Sequence, residues 1–289
     1  MVFMLPTFKL SIHRLLRVAA ERGRWNKAKP GRDHVARLPT FLIIGSNKGG
    51  TTSLYHYLKD HPEVFMSPVK EPHFFTYHGR VPETPDTSEA TRLLPPETRQ
   101  LRTLADYSGL FKDASSKHLA LGEASTGYLC GASTPADVRA YLPEAKLIAL
   151  LRDPAERAWS EFMMMRRLGQ EPEGTLLDIV HRRVDTRYLA LGQYGEALDR
   201  WYAAFPREQI RIHLFEDFAA DTAAVVTDIL QFIGVDASVP LDLSTHHNTR
   251  QGHEPRLDAE TRAVLIEHFR EDIRRLEGIL DRDLGHWLA

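Results

Sequence analysis

The stretch FLIIGSNKGGTTSLYHYL, residues 41–58, decides the fold. Four apolar residues, Phe41–Ile44, read as a buried strand that runs straight into a glycine-rich loop. The hydroxyl cluster Thr51, Thr52 and Ser53 opens an amphipathic pattern, which predicts a helix over 52–59 that stops before His61 and Pro62. A glycine turn between a buried strand and a helix start presents backbone N–H groups at the positive end of a helix dipole, and that is an anion site. The nucleotide version of such a loop reads G-x-x-x-x-G-K-[ST]. Gly45 and Gly50 keep the glycine spacing and Thr52 keeps the hydroxyl position, but Thr51 stands where the lysine belongs. The lysine is displaced into the loop as Lys48, beside Ser46, Asn47 and Gly49. The loop therefore keeps a phosphate cradle without the phosphate-bridging lysine of an ATPase or kinase. No aspartate-tipped strand that would hold Mg²⁺ stands out.

Downstream, short apolar runs alternate with amphipathic stretches. Strands are expected at His118–Leu121, at 146–151 and at Ile210–Leu214. Helices are expected at 153–168, with Pro154 in the first turn, and at 194–204, 219–233 and 258–278. The stretch 187–206, RYLALGQYGEALDRWYAAFP, reads as an amphipathic helix with aromatic core positions. The Pro-rich segment 78–103 and the polar segment 240–256 read as irregular. Such alternation implies an α/β, P-loop-like, three-layer fold with a central parallel sheet flanked by helices, in one domain over 39–289.

The 289 residues are 43% hydrophobic and 26% charged, enough for a sizeable core. A net charge of −2 advertises no global basic field, so nucleic acid is not an expected partner. Cys130 is the only cysteine, which excludes an intrachain disulfide and fits a reducing compartment. No apolar run reaches the ~18 residues of a membrane-spanning helix. Residues 1–38 form a basic extension, and 8–20 can make a short basic amphipathic helix. That helix either packs on the body or docks on a membrane surface or partner. Of the 14 histidines, His246 and His247 are the only adjacent pair, and no third ligand follows at recognisable spacing, so no metal is expected.

Two further constellations carry chemistry. In KLIALLRDPAERAWSEF, 146–162, Arg152 falls at the C-terminal end of a predicted central strand, where open α/β sheets bind ligands. Ser160 lies two turns into the next helix, and the pair offers a charged fork and a neutral donor to a phosphate. The alternative is local pairing of Arg152 with Asp153 or Glu156. In SPVKEPHFF, 67–75, Glu71 and His73 share a side if the segment is extended, with Lys70 beside them. Burial against Phe74 and Phe75 is expected to tune Glu71 as a general base. The triplet Met163, Met164 and Met165 reads as core packing.

The motifs GSNKGGTTSL, KEPHFF and LLRDPAERAWSEF, in this order, resemble the sulfotransferases that use 3′-phosphoadenosine 5′-phosphosulfate (PAPS). The likeness spans about residues 40–289 and is nearest the bacterial branch related to the heparan sulfate sulfotransferase domains. It implies that Ser46, Asn47, Lys48, Gly49, Gly50, Thr51, Thr52 and Ser53 hold the 5′-phosphosulfate, with Lys48 catalytic. It implies that Arg152 and Ser160 hold the 3′-phosphate. In HHNTRQGHEPR, 246–256, Arg250 and Arg256 are candidate further contacts, although the family's lysine-glycine pattern is missing there. Glu71 takes the position of the base in the heparan sulfate branch, and His73 competes because other branches use histidine. Glu123 and Tyr128, in LGEASTGYL, resemble residues that line the acceptor cleft, and Gln193 and Tyr194 occupy a further acceptor- or cofactor-facing position.

The resemblance implies sulfuryl transfer to a hydroxyl or amine of a carbohydrate, lipid or small metabolite, releasing PAP, with no metal. A cytoplasmic, bacterial enzyme without a membrane anchor is expected. The alternatives are a nucleotide kinase with an atypical loop and a non-catalytic PAP or nucleotide sensor.

Overall fold

A computed structural model describes residues 37–77, 101, 103–170, 174–182, 187–245 and 255–289. Most of the N-terminal extension and of the segment 78–103, the His246–His247 pair and Arg250 lie outside the described residues.

Five strands form one parallel sheet: β1 (Phe41–Gly45), β2 (Val64–Met66), β3 (Ala120–Ala124), β4 (Lys146–Leu151) and β5 (Ile210–Leu214), in the order β2-β3-β1-β4-β5. The helices are α1 (Thr51–Lys59), α2 (Phe74–Tyr77), α3 (Leu104–Gly109), α4 (Thr134–Tyr141), α5 (Pro154–Arg167), α6 (Leu176–Arg182), α7 (Arg187–Ala190), α8 (Tyr194–Ala204), α9 (Phe215–Ala220), α10 (Thr222–Ile233) and α11 (Ala259–Leu280).

The period of two along a strand sends alternate side chains to opposite faces. Leu42, Ile44, Leu147, Ala149 and Leu151 enter the core built with α4, α5, α8 and α11. Phe41, Ile43, Ile148 and Leu150 enter the core built with α1 and α10. Both faces of β1 and β4 are thus dry, which is why these strands read as unbroken apolar runs. Each buried Leu or Ile contributes about 1.5–3 kcal/mol.

The topology creates one crevice. The chain leaves β1 through α1 toward β2 on one side, and leaves β4 through α5 toward β5 on the other. The carboxyl ends of β1 and β4, which pair directly, are therefore a switch point where ligands of open α/β sheets bind.

Four local expectations are corrected. The strand expected at His118–Leu121 runs over 120–124 as β3, because His118 is held in a turn in which its Nδ1 accepts the Ser115 backbone N–H. The helix expected at 219–233 is two helices, broken where Asp221 caps α10 by accepting the Ala224 N–H. The helix read over 187–206 is broken between α7 and α8, at a Gly192 on which a Cβ would stand 2.6 Å from the Phe269 ring. The segment around Glu71 is not extended: Glu71 and His73 have φ of 60° and 52°, the left-handed region.

Candidate active site

The loop after β1 is shaped from below. The Ser46 N–H and hydroxyl both donate to the Leu150 carbonyl of β4, at 2.7 and 2.9 Å, and the hydroxyl of Tyr194 reaches Ser46 Oγ at 3.4 Å. Gly49 lies so close to that strand that a Cβ would stand 2.4 Å from Leu150 O. Gly50 is left-handed at φ 90° and starts α1 with no side chain capping the helix, so the first-turn N–H groups face the loop. Thr51 and Ser53 are buried, Thr52 is half-buried, and Ser53 is hydrogen-bonded to Tyr57 one turn on. The Asn47 Oδ1 is a buried acceptor with no hydrogen-bond partner among the described residues. These features make a built cradle for an anion.

Lys48 is left-handed at φ 63°, and its Nζ lies 3.6 Å from the sulfur of Met164 on α5. Arg152 leaves the end of β4 and donates to the Lys48 carbonyl at 3.3 Å. Its guanidinium sits 5.0 Å above the Phe215 ring and 3.5 Å from Glu156. The local pairing with Glu156 is therefore present, at a length that leaves the fork loosely held. Arg262 of α11 shares the load on that side, pairing with Asp153 at 2.9 Å and reaching Glu156 at 4.0 Å. Ser160 lies on α5, half-buried. Its neighbour Trp159 donates to the Pro255 carbonyl at 2.9 Å, which ties the exposed Arg256 to the same helix.

Glu71 and His73 stand at the end of β3, the strand on the other side of β1. The Glu71 N–H donates to Ala124 O at 2.8 Å, and its carboxylate is in contact with Lys70 (2.7 Å), Thr126 and His73 Nε2 (3.4 Å). The two side chains meet through paired left-handed residues around Pro72 rather than through extended alternation. Burial, offset in part by Glu71, pulls the His73 pKa below its usual range, so the ring is neutral at neutral pH.

Behind this pair is a closed polar cluster. Glu123 is fully buried, accepting from Tyr107 at 3.0 Å and from Ser125 at 2.8 Å, and burial pushes its pKa up to about 7. The Ser125 hydroxyl in turn accepts the His73 N–H at 3.0 Å. Tyr128 is also enclosed, its hydroxyl accepting the Phe75 N–H at 3.3 Å. Glu123 and Tyr128 thus sit behind the segment that carries Glu71 rather than on an open wall, because β3 runs into the core through Ala124. Tyr194 is likewise buried beneath the loop, and Gln193 turns to His268 at 3.1 Å. Thr126, Ser125 and Phe215 are the contacts that sequence reading missed. Only the fold brings them to Glu71, His73 and Arg152.

Lys48 and Arg152 follow β1 and β4, and Glu71, which follows β2, is held at the end of β3 by Ala124 O, so the three stand along one edge of the sheet. Among the described residues no group of three His, Cys, Asp or Glu is placed to hold a metal ion, and no helix is long and apolar enough to cross a membrane.

The sulfotransferase domain model matches residues 38–256. The chain is 25% identical over 307 positions to carbohydrate sulfotransferase 15 of Mus musculus, covering 86% of this chain and 54% of that protein. It is 24% identical over 303 positions to the bifunctional heparan sulfate N-deacetylase/N-sulfotransferase 3 of Homo sapiens, covering 92% and 32%. The chain thus spans about half, or a third, of the length of these curated relatives. The crystal structure of a sulfotransferase from Alicyclobacillus acidocaldarius aligns with TM-score 0.72 at 32% identity, over 88% of this chain and all of that one. The sulfotransferase domain of the Synechococcus PCC 7002 olefin synthase shares the fold, with TM-score 0.50 at 21% identity, over 71% and 76%.

Proposed function

The chain belongs to the sulfotransferase domain family, and from that premise we propose that it moves a sulfuryl group from PAPS to an acceptor hydroxyl or amine and releases PAP. The observation that carries this reading is the meeting of Lys48 and Arg152 at the crevice between β1 and β4, 3.3 Å from Arg152 Nη1 to the Lys48 carbonyl. The uncapped start of α1 and the glycine cradle fit the 5′-phosphate end of such a donor. We assign the 3′-phosphate to Arg152 and Ser160, with Arg250 and Arg256 as further contacts read from the sequence, and the Arg152 fork is the element suited to a dianion.

PAPS supplies a sulfuryl group on a phosphate leaving group. Lys48 stabilises the negative charge that grows on that leaving oxygen. A sulfuryl group has less charge to neutralise than a phosphoryl group, so the lysine serves without Mg²⁺ apparatus. Glu71 accepts the acceptor proton as the new bond to sulfur forms and the bond to the leaving oxygen breaks. Thr126 and Lys70 fix the carboxylate's direction, and the neutral His73 stands beside it as the second candidate base. We assign the catalytic domain to 39–289, with 1–38 as a basic extension that can meet a membrane surface. A carbohydrate is the first acceptor class to test, since relatives are named for carbohydrate and heparan sulfate substrates. The single cysteine suits a reducing compartment such as the cytoplasm.

The test is calorimetric binding of PAP against ATP and ADP, with and without Mg²⁺, followed by an acceptor screen with labelled PAPS. Mg²⁺-independent PAP binding that Arg152→Ala removes, and turnover that Lys48→Ala abolishes, are expected. A preference for ATP with Mg²⁺ would sink the reading.

A further inference from the structure

Three methionines follow one another on α5, and a rotation of about 100° per residue points them three ways. Met165 turns inward, buried, its sulfur 3.5 Å from Arg187 Nη1. Met164 turns toward the loop, half-buried, with its sulfur 3.6 Å from Lys48 Nζ. Met163 is half-buried as well and packs on the edge of the core. Met66, on β2, is buried. Met164 is thus a partly accessible thioether held against the ammonium group on which the reaction depends.

We propose that Met164 is an oxidative modification site whose sulfoxide captures Lys48 and silences the anion loop. The inference rests on the reading of Lys48 as the lysine that faces the donor's 5′-phosphate end. The step takes a hydroperoxide as oxidant. A sulfur lone pair attacks the terminal peroxide oxygen, the S–O bond forms and the O–O bond breaks. The departing oxygen takes the proton and leaves as water or an alcohol, so sulfur loses the two electrons that the peroxide gains. A thioether is a weak acceptor, whereas the sulfoxide oxygen is a strong one. It is added one bond from a sulfur already beside Nζ, and a hydrogen bond from an ammonium group is of the strong, charge-assisted kind. The ammonium then has a resident acceptor that competes with the ligand's oxygen. Cys130 does not offer a rival site, because burial pushes its thiol up to about 12 and the reactive thiolate is scarce.

PAP alone is the probe, so the test needs no acceptor. Wild type, Met164→Leu and Met163→Leu are treated with hydrogen peroxide, mapped by peptide mass and titrated with PAP by calorimetry. Wild type and Met163→Leu are expected to gain one oxygen at Met164 and to lose about tenfold in PAP affinity, the size of a charge-assisted hydrogen bond. Met164→Leu should keep its affinity, and bound PAP should slow oxidation at position 164. Methionine sulfoxide reductases with dithiothreitol should restore the wild type. Equal loss of affinity in treated Met164→Leu, sulfoxide at Met164 without loss, or a Met164 that resists peroxide while Met163 oxidises would each overturn the inference alone. Untreated wild type that does not bind PAP would instead remove the donor reading, and this inference with it.

Discussion

Thr126 holds the Glu71 carboxylate with both of its donors, the backbone N–H at 2.8 Å from Oε2 and the hydroxyl at 3.1 Å from Oε1. A base must lie in line with the proton that it removes, and small misplacements of a reacting group are costly. Thr126→Val removes one donor and keeps the branched shape. Turnover is expected to fall roughly tenfold with PAP binding within about twofold, whereas Glu71→Gln should lose on the order of 10²-fold or more. Steady-state rates with the acceptor found by screening, set beside PAP calorimetry, check this. A parallel loss of PAP binding would show that Thr126 shapes the loop rather than the base.

Arg152 rests on Phe215 at 5.0 Å, and Phe215 also lies under Gly50. The ring is thus a shared floor for the guanidinium and the start of α1. Arg152→Ala should weaken PAP binding by on the order of 10²-fold, the strength of a charge-assisted contact. Phe215→Leu should weaken it by only about three- to tenfold, because it removes the cation–π contribution and leaves the guanidinium charge in place over an apolar floor. Titrations at two salt concentrations separate the two: the wild type and Phe215→Leu should keep the same salt slope, and Arg152→Ala should flatten it.

Gly49 has no room for a side chain. A Cβ there would meet the Leu150 carbonyl at 2.4 Å and Ser46 Oγ at 2.7 Å, and a strand carbonyl cannot swing aside. Gly49→Ala is expected to cost about 1–3 kcal/mol, to lower Tm by several degrees and to abolish PAP binding. Gly278, exposed near the end of α11 with nothing within 4 Å, is the control. Gly278→Ala should be neutral or stabilising by up to ~1 kcal/mol. Thermal melts of both variants decide it, and equal Tm values would show that the loop yields more easily than the contact implies.

What was legible in the sequence follows from what is local. The strand at 146–151 and the helix at 194–204 match their expected bounds because unbroken apolar runs and a 3.6-residue pattern are properties of the segments themselves. The loop glycines were legible for the same reason: spacing and backbone freedom are sequence properties. Residues 64–66 are too short a strand to show a pattern. The support of Glu71 was hidden because Thr126 is 55 residues away and arrives only through the β2–β3 pairing. Glu123 looked like an acceptor-facing carboxylate because sequence does not say which side of a strand end is sealed by Tyr107 of α3.

That sealed carboxyl group has a measurable signature. Burial raises the Glu123 pKa to about 7 from an ordinary 4.5, against the opposing hydrogen bonds from Tyr128, Ser125 and Tyr107. Between those two values the folded chain keeps a proton that the unfolded chain has lost. Stability therefore falls as pH rises through this window, and the cost is complete above pH 7, on the order of 3 kcal/mol for such a shift. Glu123→Gln replaces the group with a neutral one of the same shape, so the variant has no such cost. Wild type and Glu123→Gln are expected to differ least near pH 5 and to diverge toward pH 8, with the variant the more stable at the alkaline end. Other titrating groups cancel in the difference. Denaturant melts at pH 5, 6, 7 and 8 check it, and parallel stability curves would mean that Glu123 is ionised in the fold throughout. Because Ser125 links Glu123 to the His73 backbone, the same variant should leave PAP binding intact while altering the pH profile of turnover in the range where Glu123 changes charge.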